Sequence, residues 1–179
     1  MVYVFLADGF EEMEALAPVD ILRRADIEVQ TVGVTGEVVT GSHNIPVKAD
    51  ITVDKIKLSD ELDMIVLPGG MPGTNNLQND PDVIAAVDYC AENDRYVTAI
   101  CAAPKILGSK GLLEGKNAIC FPGFEQELKG AKLSSESVAV DGRFITAKGA
   151  GVAVKFALKL VELLASKEVA ENLRASLQC

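Results

Sequence analysis

The chain has 179 residues, 49% hydrophobic and 24% charged, a globular composition that can bury one sizeable core and speaks against disorder, collagen or coiled-coil arrays. Seventeen basic against twenty-six acidic side chains leave a net charge of −9, which repels phosphate backbones and argues against nucleic acid as a partner. A single histidine, His43, excludes any one-chain site that needs two, such as a His-x-x-x-His zinc site.

In chain order, Val2–Leu6 is an apolar run that stops before Asp8. It has no basic flank and is too short for a signal segment or a membrane span, so it reads as the first buried strand of a cytoplasmic protein. Residues 11–25 read as a helix and residues 28–34 as a strand. Residues 36–53, rich in Val, Thr and Gly, read as a small hairpin plus a strand. Met64–Leu67 is a fully apolar strand closed by Pro68-Gly69-Gly70. Asp80 or Pro81 opens a helix to about Asn93, with Val83, Val87, Cys90 and Ala91 at helical spacing. Tyr96–Ile100 is a strand and Pro104–Lys110 a short helix. Residues 118–121 and 144–147 read as strands, and residues 152–165 and 167–177 as helices. Strands alternating with helices predict one α/β domain over residues 1–179. Its expected form is a doubly wound, mostly parallel sheet with helices on both faces and a small β-hairpin insertion. Ligands in such sheets sit at the carboxyl ends of the strands, which directs attention to the loops after Leu6, Leu67, Ile100 and Ala147.

The loop after Ile100 holds Cys101-Ala102-Ala103-Pro104. Pro104 suits a first helical turn, so Cys101 falls on a sharp strand-to-helix turn, the layout of a nucleophile elbow. Free N–H groups at a helix start favour a thiolate, and a lowered thiol pKa is expected. A buried inert cysteine is the alternative. In the loop after Leu6, Glu11, Glu12 and Glu14 open the helix. Glu14 shares the apolar stripe with Pro18, Ile21 and Ala25, whereas Glu12 shares a mostly solvent-facing one with Leu16, Asp20 and Arg23. Pro18 removes the helical bond to the carbonyl of Glu14. A buried, protonated Glu14 facing the ligand end is the functional reading, and a capping acid the plain one.

Gly69, Gly70 and Gly73 allow backbone N–H groups to approach an oxyanion, or simply make a tight turn. No Gly-Lys-Ser/Thr follows, and Gly149-Ala150-Gly151 lacks the third glycine of a dinucleotide fingerprint, Val154 standing in its place. No cofactor and no metal are implied. Four cysteines without a Cys-x-x-Cys pair give no zinc-finger or dithiol motif. Cys90 and Cys120 read as packing residues and Cys179 as exposed. His43 lies in a polar turn and reads as a surface residue.

These segments resemble the ThiJ/PfpI superfamily, and closely its Parkinsonism-associated deglycase branch. The matching stretches are Asp8–Glu14, Pro18–Ala25, Val66–Gly70, Ala99–Pro104 and Phe156–Leu158. The resemblance implies a flavodoxin-like sandwich and a homodimer. It implies that Cys101 is the reactive cysteine, that Glu14 is the buried glutamate bonded to it, and that Gly70 and Ala102 supply the oxyanion N–H pair. It implies thiol redox sensing in oxidative or carbonyl stress, holdase activity, or glyoxalase and deglycase chemistry on small aldehydes or glycated substrates. More distant members imply an intracellular cysteine peptidase, amidase or glutamine-amidotransferase-like hydrolase. Where the glyoxalase-competent branch carries a histidine before a proline, this chain reads Cys120-Phe121-Pro122. Phe121 transfers no proton, so a Cys-His-acid triad within one chain is disfavoured. His43 falls where relatives carry an arginine near the dimer interface, and the expectation is that it approaches Cys101 of the partner subunit.

Overall fold

The computed structural model describes residues 1–179. The chain runs β1 (Val2–Leu6), α1 (Glu12–Arg24), β2 (Val29–Gly33), β3 (Val38–Thr40), β4 (Pro46–Lys48), β5 (Ile51–Thr52) and β6 (Met64–Leu67). It continues through α2 (Gly73–Asn79), α3 (Pro81–Glu92), β7 (Tyr96–Ile100), α4 (Pro104–Ser109), β8 (Asn117–Ala118) and β9 (Lys132–Leu133). It ends with β10 (Val138–Asp141), β11 (Phe144–Ala147), α5 (Ala153–Leu164) and α6 (Lys167–Ser176).

Seven strands form one sheet in the order β10-β11-β7-β6-β1-β2-β5. All neighbours are parallel except β10 with β11. The central part, β2-β1-β6-β7-β11, has the flavodoxin-like winding: the chain steps one way from β1 to β2, then returns past β1 to β6. Strands β1 and β6 are buried along their whole length, as continuous apolar strands covered on both faces must be. Alternation within β1 assigns the two faces. Val2, Val4 and Leu6 pack with residues of α1, α5 and α6, while Tyr3 and Phe5 pack with residues of α3 and α4.

The β3–β4 hairpin stands outside the main sheet and pairs Val39 with Val47. The sequence places a strand over residues 118–121; the structure keeps only Asn117–Ala118 in β8, paired with β9. Beyond it the Phe121 N–H donates to the Cys101 carbonyl at 2.8 Å, which turns the chain toward the end of β7 instead of along a neighbouring strand. Helix α2 and the antiparallel edge strand β10 have no counterpart in the sequence reading. Four parallel strands end level: Leu67 pairs with Ala99, Ala147 with Ile100, and Leu6 lies at the end of β1 beside them. The loops that follow them form the site.

Candidate functional site

Cys101 follows β7 directly and has φ of +64°, the left-handed conformation that a side chain adopts at a cost of about 1–3 kcal/mol. Two backbone bonds hold it there. Its N–H donates to the Ala147 carbonyl at 2.9 Å, and its carbonyl accepts from Phe121. The elbow read from the sequence is present, with Ala103 capping α4 and Pro104 at its start.

Glu14 sits in the first turn of α1 and is fully buried. Its N–H donates to Glu11 Oε2 at 2.7 Å, so the capping acid is Glu11. Glu14 Oε2 accepts from the Gly69 N–H at 2.8 Å. Its carboxyl also faces the Cys101 thiol, in a contact looser than a well-formed hydrogen bond. Oε1 is buried with no well-formed partner. The backbone N–H groups of Ala102 and Gly70 act on the sulfur. The turn after β6 admits this approach only because it lacks side chains. A Cβ on Gly69 would lie 2.6 Å from the Cys101 Cβ and 2.7 Å from Glu14 Oε2. Gly70 has φ of +86° and would collide with the backbone of Gly9 and Glu11.

The electrostatics correct one expectation. Burial, then the Glu14 charge and its hydrogen bond, push the Cys101 thiol up to about 12. The N–H groups of Ala102 and Gly70 pull it down, but they do not win. Helix α4 is a single short piece of six residues, and its terminal charge is outweighed by desolvation and a neighbouring carboxylate. Burial also pushes Glu14 up to about 7, against the hydrogen bonds from Cys101 and Gly69. The two groups face one another and titrate as a coupled pair, the first proton leaving far more readily than the second. The remaining proton has two possible seats, and thiolate beside carboxylic acid is the nucleophilic arrangement.

Glu12 requires a second correction. The sequence places it on a solvent-facing stripe; the structure buries it to 6% exposure under the β3–β4 hairpin. Glu12 Oε1 accepts from the His43 N–H at 2.7 Å, and Oε2 lies 2.7 Å from His43 Nδ1. Burial pushes the Glu12 carboxyl up, but the bonds from the His43 ring and backbone hold it below the ordinary range. The same bond pushes His43 up. Two further bonds, Gly9 N–H to the Thr40 carbonyl and Ser42 N–H to the Phe10 carbonyl, each 2.8 Å, clasp the hairpin to the start of α1. The His43 side chain is 69% exposed, as a surface histidine, and its Nδ1 is engaged within its own chain. One ligand atom each from Glu11, Glu12 and His43 lies within 4.8 Å of the others, the only such cluster of metal-ligating types. The Glu12–His43 pair already satisfies its buried member.

Sequence reasoning missed Gly69 as the donor to Glu14; the signal was the Gly-Gly pair, of which it weighed the second member. It missed the Glu12 pairing because hairpin and helix are 31 residues apart. Cys90 and Cys120 are buried, with thiols pushed up by burial to about 12 and about 11, and Cys179 is exposed. No helix is long and apolar enough to cross a membrane.

Comparison with known proteins gives a consistent result. The model of the DJ-1/PfpI family matches residues 1–163. The chain is 35% identical over 177 residues to protein dj-1beta of Drosophila melanogaster, covering 97% of this chain and 94% of that protein. It is 30% identical over 165 residues to a deglycase of Pyrococcus abyssi, covering 91% and 98%. The structure of oxidized DJ-1 from Toxoplasma gondii superposes with a TM-score of 0.94 at 34% identity, covering 99% of this chain and 97% of that one. Matched over most of its length by the family model and by relatives above 30% identity, the chain belongs to the DJ-1/PfpI family.

Proposed function

We propose that this protein is a cysteine-based defence against reactive carbonyls and oxidants, with Cys101 as nucleophile and Glu14 as its proton partner. One observation carries the reading: a thiol held in a left-handed elbow faces a fully buried carboxyl whose titration lies near neutral pH. In the aldehyde reaction the Cys101 sulfur attacks the terminal carbon of a 2-oxoaldehyde and a C–S bond forms. The carbonyl pair moves to oxygen, which the N–H groups of Gly70 and Ala102 steady and which takes the Glu14 proton. Glu14, now a carboxylate, removes the proton from that carbon and returns it to the neighbouring one, while the hydroxyl proton passes to the former ketone oxygen, which leaves a thioester on Cys101. Water then releases a 2-hydroxy acid and restores the thiol. The deglycase name of the Pyrococcus abyssi relative supports this class of substrate.

The same pocket favours oxidation at Cys101 over Cys90 and Cys120, which are buried in the core. Hydrolase chemistry of the Cys-His type has less support, because His43 Nδ1 is bound to Glu12. The protein acts as a homodimer: Met13 at the start of α1, with Val38 and Ile45 around the hairpin clasped to it, are each more than half exposed. In that dimer His43 approaches Cys101 of the partner subunit.

Incubation with methylglyoxal tests the activity. Wild type forms lactate above the buffer rate, and Cys101→Ser and Glu14→Gln lose it by about 100-fold or more. No lactate above buffer from wild type overturns the aldehyde reading.

A further inference from the structure

Beside the Cys101–Glu14 pair lies an open cavity of about 320 Å³ that the chemistry above does not use. Phe121, Pro122, Gly149, Ala150 and Val152 supply its lining, and Lys148, exposed, is its one charged member. Phe121 is 47% exposed, so its ring is open to a ligand in this cavity. Three observations place the cavity next to the residues that carry the reacting atoms. The Phe121 N–H donates to the carbonyl of Cys101. A Cβ on Gly149 would sit 3.1 Å from the Phe121 ring and 3.9 Å from Glu14 Oε1. That Oε1 is fully buried and without a well-formed partner, on the side of the cavity wall.

We propose that this cavity is a subsite for the apolar tail of the carbonyl substrate, with Phe121 as its specificity-determining residue. It rests on the aldehyde reading and adds the substrate class: 2-oxoaldehydes bearing an aryl or extended alkyl group. The reacting carbonyl carbon meets the sulfur with its oxygen toward the Gly70 and Ala102 N–H groups, and the tail stacks on Phe121 against the Gly149–Val152 turn. Small side chains at Gly149 and Ala150 leave room for a flat group, and apolar lining replaces water that a hydrophilic tail would keep. The reaction balances as before. Phenylglyoxal and one water give mandelate, with the terminal carbon oxidised and its neighbour reduced.

The test measures kcat/KM for phenylglyoxal and methylglyoxal in wild type, Phe121→Ala and Phe121→Leu. Wild type favours phenylglyoxal. The preference ratio falls about fivefold in Phe121→Ala, mainly through KM, and Phe121→Leu restores most of it. A ratio unchanged in Phe121→Ala overturns the proposal. If wild type consumes neither aldehyde, the aldehyde reading has failed, and the subsite is read without turnover. Peptide mapping then follows alkylation of Cys101 by N-phenylmaleimide against N-methylmaleimide. A preference for the phenyl reagent that Phe121→Ala loses supports the subsite, and equal rates in wild type overturn it.

Discussion

Glu14 is neutral in the fold at a pH where an ordinary carboxyl is charged. Its titration near 7, against 4.5 for an ordinary glutamate, makes ionisation in the fold about 3 kcal/mol costlier than in the unfolded chain. The penalty is absent below 4.5, where both states are protonated. It grows as pH rises and is complete above 7. Stability measured by denaturant therefore falls between pH 4.5 and 7, and Glu14→Gln flattens this part of the profile. The same variant removes the charge that helps to raise the Cys101 thiol, so thiolate absorbance appears below about 12. Lost aldehyde turnover with an easier thiolate titration then identifies Glu14 as a proton carrier. His43 offers a second check, because a chain with one histidine gives a single set of imidazole resonances. It titrates above 6.5 in wild type and returns toward 6.5 in Glu12→Gln. The charge that the His43 ring adds to its pair with Glu12 is fully present below 6.5 and is lost as pH rises through the folded value of His43, while the backbone bonds of the hairpin remain.

At the scale of elements, three loops at level strand ends build the site, and each is constrained by the others. The turn after β6 must be bare so that α1 and the β7 elbow can approach one another. Gly69→Ala places a methyl within 2.7 Å of both the Cys101 Cβ and Glu14 Oε2. Something must move, and the movable partner is the carboxyl. The expected outcome is a folded protein with aldehyde turnover reduced about 10- to 100-fold, measured alongside circular dichroism. Retained turnover would show that Glu14 does not depend on the Gly69 N–H. The start of α1 is fixed from the other side by the hairpin, so Glu12, two residues before Glu14, helps to place it without facing the sulfur.

Of the large apolar side chains that the molecule exposes, Met13, Val38 and Ile45 lie at the start of α1 and around the hairpin. A homodimer would cover them, and light scattering should then give twice the 19.0 kDa chain mass. Met13→Glu puts a charge on a residue that is 58% exposed, so the monomer's stability changes by less than about 0.5 kcal/mol while association weakens. A monomeric wild type would remove the dimer proposal.

Much of this was legible in one dimension. Apolar runs with β-branched residues, spaced by helical periods, determined the layered α/β architecture, because both patterns are local and their periods differ. The position of Cys101 at a strand end before Pro104, and of Glu14 on an apolar stripe, followed from the same periodicity. Periodicity failed for Glu12, whose stripe faces solvent in an isolated helix and faces the hairpin in the folded chain. It failed for residues 118–121, where a long-range bond to Cys101 overrode strand propensity. The Cys101 thiol shows the limit most plainly. The sequence offered a helix terminus that favours thiolate, and only tertiary structure decided that burial and a carboxylate from another loop outweigh it. Local patterns determine which residues can meet; desolvation and charge, which depend on everything within a few ångströms, determine what they do when they meet.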